Sequence, residues 1–312
     1  MSMTEILQLF DLPHELIPRH LQPVLYSLTD LLPPVPLGGF ECTLQGVARV
    51  DFQQGFRPRA WDQHLLGSLE PCTQLVQAWK TSRGIDEIWL EFDDLSFTQM
   101  GVFFGLDMDS QDAEAHRFAI RQVLTALGTG GWHLLERYQK VCRDRQQISH
   151  FGLMPHRGPS VRLNVKRVDP GSIRDFLLRA GWPGPAEVVT EFTSLAEGVD
   201  HFALCLDVEK DGDLRDSLAI ECFFRRQPPE EAGWMRLLSR LGGIEQRRSA
   251  ALLGWPTILT PVSGREWPSA LIQRSLLDSG PARLGLKLSH LKVQWRAGSF
   301  QSKAYFGFEY AG

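Results

Sequence analysis

The apolar positions of this chain follow two periods that alternate along its length. Within residues 149–168, Val161, Leu163 and Val165 alternate with Arg162, Asn164 and Lys166. That period of two puts three apolar side chains on one face of a strand and three polar ones on the other. Gly158-Pro159 supplies the turn that makes the stretch a hairpin. Residues 287–310 repeat the plan: His290, Lys292 and Gln294 share one face, Leu291, Val293 and Trp295 the other, and Ala297-Gly298 turns the chain. On the return arm Lys303, Tyr305 and Glu309 oppose Ala304, Phe306 and Phe308. Three further stretches read the same way. In 40–52, Phe40, Cys42, Leu44, Val50 and Phe52 oppose Glu41, Thr43, Gln45, Arg49 and Asp51, with Gly46 near the turn. In 85–106, Ile88, Leu90 and Phe92 oppose Trp89, Glu91 and Asp93, and in 201–224 a hairpin turns at Asp211-Gly212.

Helical periodicity fills the intervals, over 60–80, 112–127, 132–143, 171–181, 185–197, 229–242, 245–254 and 267–277. Residues 3–31 give one or two more helices before the Pro/Gly break at 31–39. The chain is therefore divided into a helical lead-in, 1–39, packed on a single domain, 40–312. Five hairpins separated by four intervals, each long enough for a helix pair, mark a repeat architecture of the α+β class. The second face of each arm carries too many long, mixed charges for a packed layer, and an open sheet of about ten strands would leave two edges exposed. A closed barrel of about ten antiparallel strands removes the edges, with apolar faces toward a surrounding ring of helix pairs and polar faces toward a wet lumen.

Composition narrows the chemistry. With 43% hydrophobic and 22% charged residues the 312-residue chain is globular, and a formal charge of −4 argues against nucleic-acid binding. No apolar run reaches the ~20 residues of a membrane span, and the N-terminus lacks a signal-peptide pattern, so a cytoplasmic protein is expected, and a monomer. The five cysteines form no CxxC pair and suggest neither zinc nor a disulfide framework. His150, His201 and His290 lack ligand spacing, so no metal site is read. The repeated Ser149-His150 and Ser289-His290 pairs read as structural.

The five spaced hairpins, together with Arg157, the Arg162–Lys166 arm, Asp169-Pro170 and Lys303-Ala-Tyr305, resemble the ABBA, or PT-barrel, prenyltransferases, whose ααββ units build a ten-strand barrel around the active site. The hairpin at 149–168 is similar to that of the cyanobactin-type peptide prenyltransferases. The resemblance implies transfer of a dimethylallyl or geranyl group from its diphosphate to a nucleophile. The preferred acceptor is a peptide side chain, as in ribosomal-peptide tailoring, and a free indole or phenol is the alternative. No tightly bound cofactor is implied beyond Mg²⁺ accompanying the donor. The competing class is a non-catalytic barrel that binds an anionic ligand or peptide.

Ionising an allylic diphosphate creates about three negative charges beside a delocalised carbocation, which preorganised cations and aromatic faces stabilise. The expected diphosphate ligands are Arg162, Lys166, Lys292 and Lys303, then Arg49 and Arg157. Tyr305 and Trp89 are expected to shield the cation. With only four tyrosines in the chain, Trp89, Phe103 or Phe223 would have to complete the shield. A carboxylate base is also needed, and Asp51 leads, followed by Glu91.

Overall fold

The computed structural model describes residues 2–35, 37–57, 60–69, 79, 84–107, 113–126, 132–143, 145–225, 231–261, 266–277 and 281–310. Eleven strands are assigned: β1 (Leu37–Thr43), β2 (Val50–Phe56), β3 (Ile85–Phe92), β4 (Met100–Leu106), β5 (Gln147–Leu153), β6 (Val161–Lys166), β7 (His201–Val208), β8 (Leu214–Phe223), β9 (Thr257–Leu259), β10 (Leu284–Arg296) and β11 (Ser299–Tyr310). Every pairing is antiparallel. The order runs β1 to β8, then β10 and β11, and β11 pairs back onto β1, which closes a ten-stranded barrel. β9 pairs only with the start of β10 and lies outside the ring.

The helices fall where the 3.6-residue period placed them: α1 (Met3–Leu7), α2 (Gln22–Thr29), α3 (Ala60–Gly67), α4 (Ala113–Ala126), α5 (Trp132–Val141), α6 (Ile173–Ala180), α7 (Ala186–Glu197), α8 (Glu231–Leu241), α9 (Gln246–Gly254) and α10 (Ser269–Leu277). The last interval holds the three helices expected at 229–242, 245–254 and 267–277 and, in addition, the short strand β9, which was not expected. The break at 31–39 was read as lead-in, yet Leu37, Gly38 and Gly39 already belong to β1. Most of 60–80 beyond α3 lies outside the described residues.

The main core lies between barrel and helices. α6 buries Ile173, Phe176, Leu177 and Ala180 and stops at Gly181, whose φ of 75° suits a left-handed cap. α7 buries Val188, Val189, Phe192, Leu195 and Ala196. Against them the strands present Leu163, Val165, Leu204, Leu206, Leu218 and Ile220, all buried. The N-terminal segment joins the same core: Phe10 meets the edge of Trp255 at 5.3 Å, and Trp255 donates its indole N–H to the Gly307 carbonyl at 2.9 Å.

Closure brings β1 and β11 unusually near one another where Gly39 faces Gly307. A β-carbon on Gly307 would run into the Gly38 carbonyl and approach the Gly39 Cα to 2.7 Å. Both obstacles are backbone and cannot rotate away. Gly307→Ala is expected to destabilise the protein by about 1–3 kcal/mol, the usual cost of overpacking. Gly254→Ala, whose β-carbon meets nothing within 4 Å, serves as the control, and urea denaturation of the two variants checks the contrast.

Candidate active site

Because side chains alternate across each strand, the polar residues of the hairpins converge inside the barrel. They line a cavity of about 260 Å³ toward the strand ends that connect to helices. Its wall includes Glu87, Trp89 and Glu91 of β3, Phe103 of β4, His150 of β5, Arg162, Asn164 and Lys166 of β6, Glu221 and Phe223 of β8, His290 and Lys292 of β10, and Tyr305 of β11. A second, polar cavity of about 250 Å³ lies toward the hairpin turns, lined by Arg157, Arg162, Asp207, Arg215 and Arg296 among others. Arg162 borders both.

An aromatic ladder crosses four neighbouring strands, and three of its rings, Phe223, His290 and Tyr305, line the cavity. His201 stacks on Phe223 at 4.8 Å, Phe223 on His290 at 4.7 Å, and His290 on Tyr305 at 4.1 Å. Lys166 sits 5.6 Å from the Phe223 ring centroid and Lys292 5.6 Å from that of Tyr305. Two cations thus flank a ring surface whose faces attract positive charge. The ladder is mixed in composition, with two imidazoles and a phenylalanine beside the single tyrosine.

The remaining lumen is charged, and most of the charge is paired. Arg162 holds Asp207 through Nε at 2.8 Å and Nη2 at 3.2 Å, and Ser217 adds a hydrogen bond to the same carboxylate. Burial opposes ionisation of Asp207, but Arg162 outweighs it and brings the carboxyl down to about 2. Glu221 receives Lys292 at 3.3 Å and the Asn164 amide at 3.0 Å. Here too the cost of burial is exceeded, chiefly by Lys292, and Glu221 titrates at about 2. Lys303 pairs with Glu41. Arg157 spans Glu91, at 3.0 Å, and Asp93, and Gln53 donates to the other Glu91 oxygen at 3.0 Å. Burial, with Glu41 nearby, still raises the Glu91 pKa. Among the described residues Lys166 has no ion-pair partner.

The structure brings Arg162, Lys166, Lys292, Tyr305, Trp89 and Glu91 onto one cavity. It does not bring the other expected residues there. Arg49 precedes β2, is largely exposed and lies 3.7 Å from Asp94. Arg157 belongs to the second cavity. Lys303 is turned toward Glu41, with Asp51 at 4.0 Å. Asp51, the expected base, accepts the Asp94 backbone N–H at 2.7 Å and is not among the cavity-lining residues. Burial, reinforced by Glu41, raises its pKa to about 8. A carboxyl protonated at neutral pH cannot accept a proton, so Asp51 is a poor base as placed.

Glu87, Gln53 and Glu221 line the cavity without having been singled out from the sequence, and Asn164 and His290 line it without having been given a part in the chemistry. Glu87 bonds His150 Nε2 at 3.0 Å, reaching over Gly105, where a β-carbon would meet the Glu87 Cγ at 2.5 Å. His290 was read as structural, yet it forms a rung of the ladder.

The Asp51 shift gives a signed expectation. Its folded value near 8 lies above the roughly 3.9 of an unfolded aspartate. The stability linked to this group is therefore full below about pH 4 and lost as pH rises toward 8. Asp51→Asn, which cannot ionise, is expected to gain in Tm over the native chain as pH rises from about 5 to 8, as thermal melts across that range will show.

No protein-family model and no curated protein sequence matches the chain. Solved structures do. The apo form of the prenyltransferase PriB aligns with TM-score 0.56 at 12% identity, covering 97% of this chain and 93% of that one. The 5-dimethylallyltryptophan synthase from Streptomyces coelicolor aligns at 0.58 with 11% identity over 93% and 91% of the two chains. The 6-dimethylallyltryptophan synthase from Micromonospora olivasterospora, in complex with DMASPP and Trp, aligns at 0.56 with 12% identity over 98% and 95%. With its ten-stranded closed barrel and outer helices, the chain has the PT-barrel fold of the ABBA prenyltransferases.

Proposed function

We propose that the protein transfers an allylic group, dimethylallyl or geranyl, from its diphosphate to an aromatic acceptor inside the barrel. The observation that carries this reading is the ring face of Phe223, His290 and Tyr305, flanked by Lys166 and Lys292, in one cavity. A diphosphate held by Arg162, Lys166 and Lys292 would leave its allyl chain over Tyr305 and His290. As the C–O bond breaks, the electron pair goes to the diphosphate, where fixed cations stabilise it without reorganising. The ring faces hold the allyl cation and exclude water. The acceptor then supplies the electron pair of the new bond and loses a proton.

The acceptor is proposed to be an indole or similar ring, carried on a peptide side chain in ribosomal-peptide tailoring or supplied free. Structural neighbours support an aromatic acceptor, since one PriB structure contains L-tryptophan with dimethylallyl thiolodiphosphate. Among the described residues no group of three or more His, Cys, Asp or Glu is placed to hold a metal. Any Mg²⁺ is proposed to enter with the donor, on its phosphate oxygens.

Incubation of the purified chain with dimethylallyl diphosphate and either L-tryptophan or a tryptophan-containing peptide, read by mass spectrometry, tests the reaction and separates the two acceptors. Donor binding without transfer to either would favour the non-catalytic binding barrel. Lys166→Ala is expected to weaken binding of dimethylallyl thiolodiphosphate by about 1.5–3 kcal/mol, as for a lost charged hydrogen bond, with little change in Tm. Lys292→Ala is expected to weaken binding and also to destabilise the fold by about 3–5 kcal/mol, because it strands Glu221 as an unpaired buried charge. Calorimetric titration and thermal melts distinguish the two.

A further inference from the structure

Resting on this transfer reading, we propose that His290 Nε2 is the group that takes the proton from the acceptor, with Asn164 Oδ1 holding the acceptor's N–H or O–H beside it.

The argument begins with which polar atoms of the cavity are already satisfied. Glu91 receives Gln53 on one oxygen and Arg157 on the other. Glu221 receives Asn164 and Lys292. Glu87 is held by His150 and by Trp89, and the other nitrogen of His150 is 3.1 Å from Ser149 Oγ. Among the described lining residues, two buried side-chain atoms have no hydrogen-bond partner: Asn164 Oδ1 and His290 Nε2. Buried polar atoms are rarely left so. Both belong to side chains beside Glu221, whose Oε2 receives Asn164 and whose Oε1 lies 4.0 Å from His290 Nε2.

The imidazole is also fixed. Ser289 Oγ sits 2.9 Å from Nδ1, and Phe223 and Tyr305 hold the ring on either side. Around it stand Glu221 of β8, Lys292 of its own strand, Glu41 of β1 and Lys166 of β6. Burial, followed by the push of Lys292 and Lys166 against the pull of Glu221 and Glu41, lowers its pKa to about 4. The ring is therefore neutral at physiological pH and has a lone pair to offer. Attack of an aromatic carbon on the allyl cation gives a cationic adduct whose ring proton is strongly acidic, so a weak base suffices. The C–H pair returns to the ring, the proton goes to Nε2, and the imidazolium so formed lies beside Glu221 and the departing diphosphate. The proton then passes to diphosphate or water.

The test uses the full chain, dimethylallyl diphosphate and indole deuterated at its ring carbons, comparing the native protein with His290→Phe, which keeps the stack, and His290→Gln as a second variant. Acceptor-independent diphosphate release is measured in parallel, and because His290 is also part of the ring face beside the allyl chain, transfer is expected to fall much further than release, with the smaller loss of release in His290→Phe. Transfer is expected to fall by about 10²–10⁴-fold, as for loss of a general base, and to acquire a primary deuterium isotope effect that the native protein lacks. Native transfer rates without an isotope effect in both variants would overturn the proposal. So would loss of diphosphate release in step with transfer, which would place His290 with the donor or with the fold. If the native chain neither releases diphosphate nor transfers, the transfer reading itself fails, and the role of His290 with it.

Discussion

A sheet that closes on a charged inner face is stable only if the enclosed charges find partners, since an unpaired buried ion costs far more than a pair returns. Here Arg162 meets Asp207, Lys292 meets Glu221, Lys303 meets Glu41, and Arg157 bridges Glu91 and Asp93. Each joins residues from different parts of the chain, so none can form until the strands are in register. Asp51 is the remainder. With Glu41 ionised beside it and Lys303 already committed, its lowest-energy state is to keep its proton.

This internal pairing shapes any chemistry done in the lumen. A diphosphate entering it does not meet bare cations; it competes with resident carboxylates for Arg162 and Lys292. Lys166 offers its charge without that competition, which is why the two lysines are expected to respond differently to removal. The pairing also preorganises. Guanidinium and ammonium groups fixed by Asp207 and Glu221 do not need to move as charge develops on a leaving group, and that fixity is the source of electrostatic catalysis.

Much of this was legible in the sequence. Alternation located nearly every barrel strand, and charges on the second face of each arm forced closure, as in β6, where Val161, Leu163 and Val165 face the helices and Arg162, Asn164 and Lys166 the cavity. Alternation assigns a face but not a height along the barrel. Glu91 and Asp51 share the inner face, yet Glu91 lines the cavity and Asp51 lies nearer the hairpin turns, against Asp94. Arg49 looked like a continuation of β2 and instead belongs to the turn before it. Charge pairing between neighbouring strands was equally invisible, because Arg162 and Asp207 are neighbours only once β6 pairs with β7.

Glu87, His150 and His290 share a physical signature. Register slips occur at Ile85/Glu87 in β3, Ile148/His150 in β5 and Leu288/His290 in β10. At each, one extra residue, Asp86, Ser149 or Ser289, shifts the phase of the strand, and the next side chain turns into the cavity. A β-bulge re-aims a side chain in just this way. The sequence records it as a three-residue step in an otherwise alternating apolar run: Leu284, Leu286 and Leu288 are followed by Leu291 and Val293, and Ile148 by Phe151 and Leu153. In β5 and β10 the inserted residue is a serine whose hydroxyl then meets the imidazole it displaced, at 3.1 Å for His150 and 2.9 Å for His290. The recurrence of Ser-His in the repeat is therefore structural in origin, as bulge and lock, and it leaves the two imidazoles in different states. His150 finds Glu87 across Gly105, whereas the outer nitrogen of His290, a residue of the cavity wall, has no hydrogen-bond partner among the described residues.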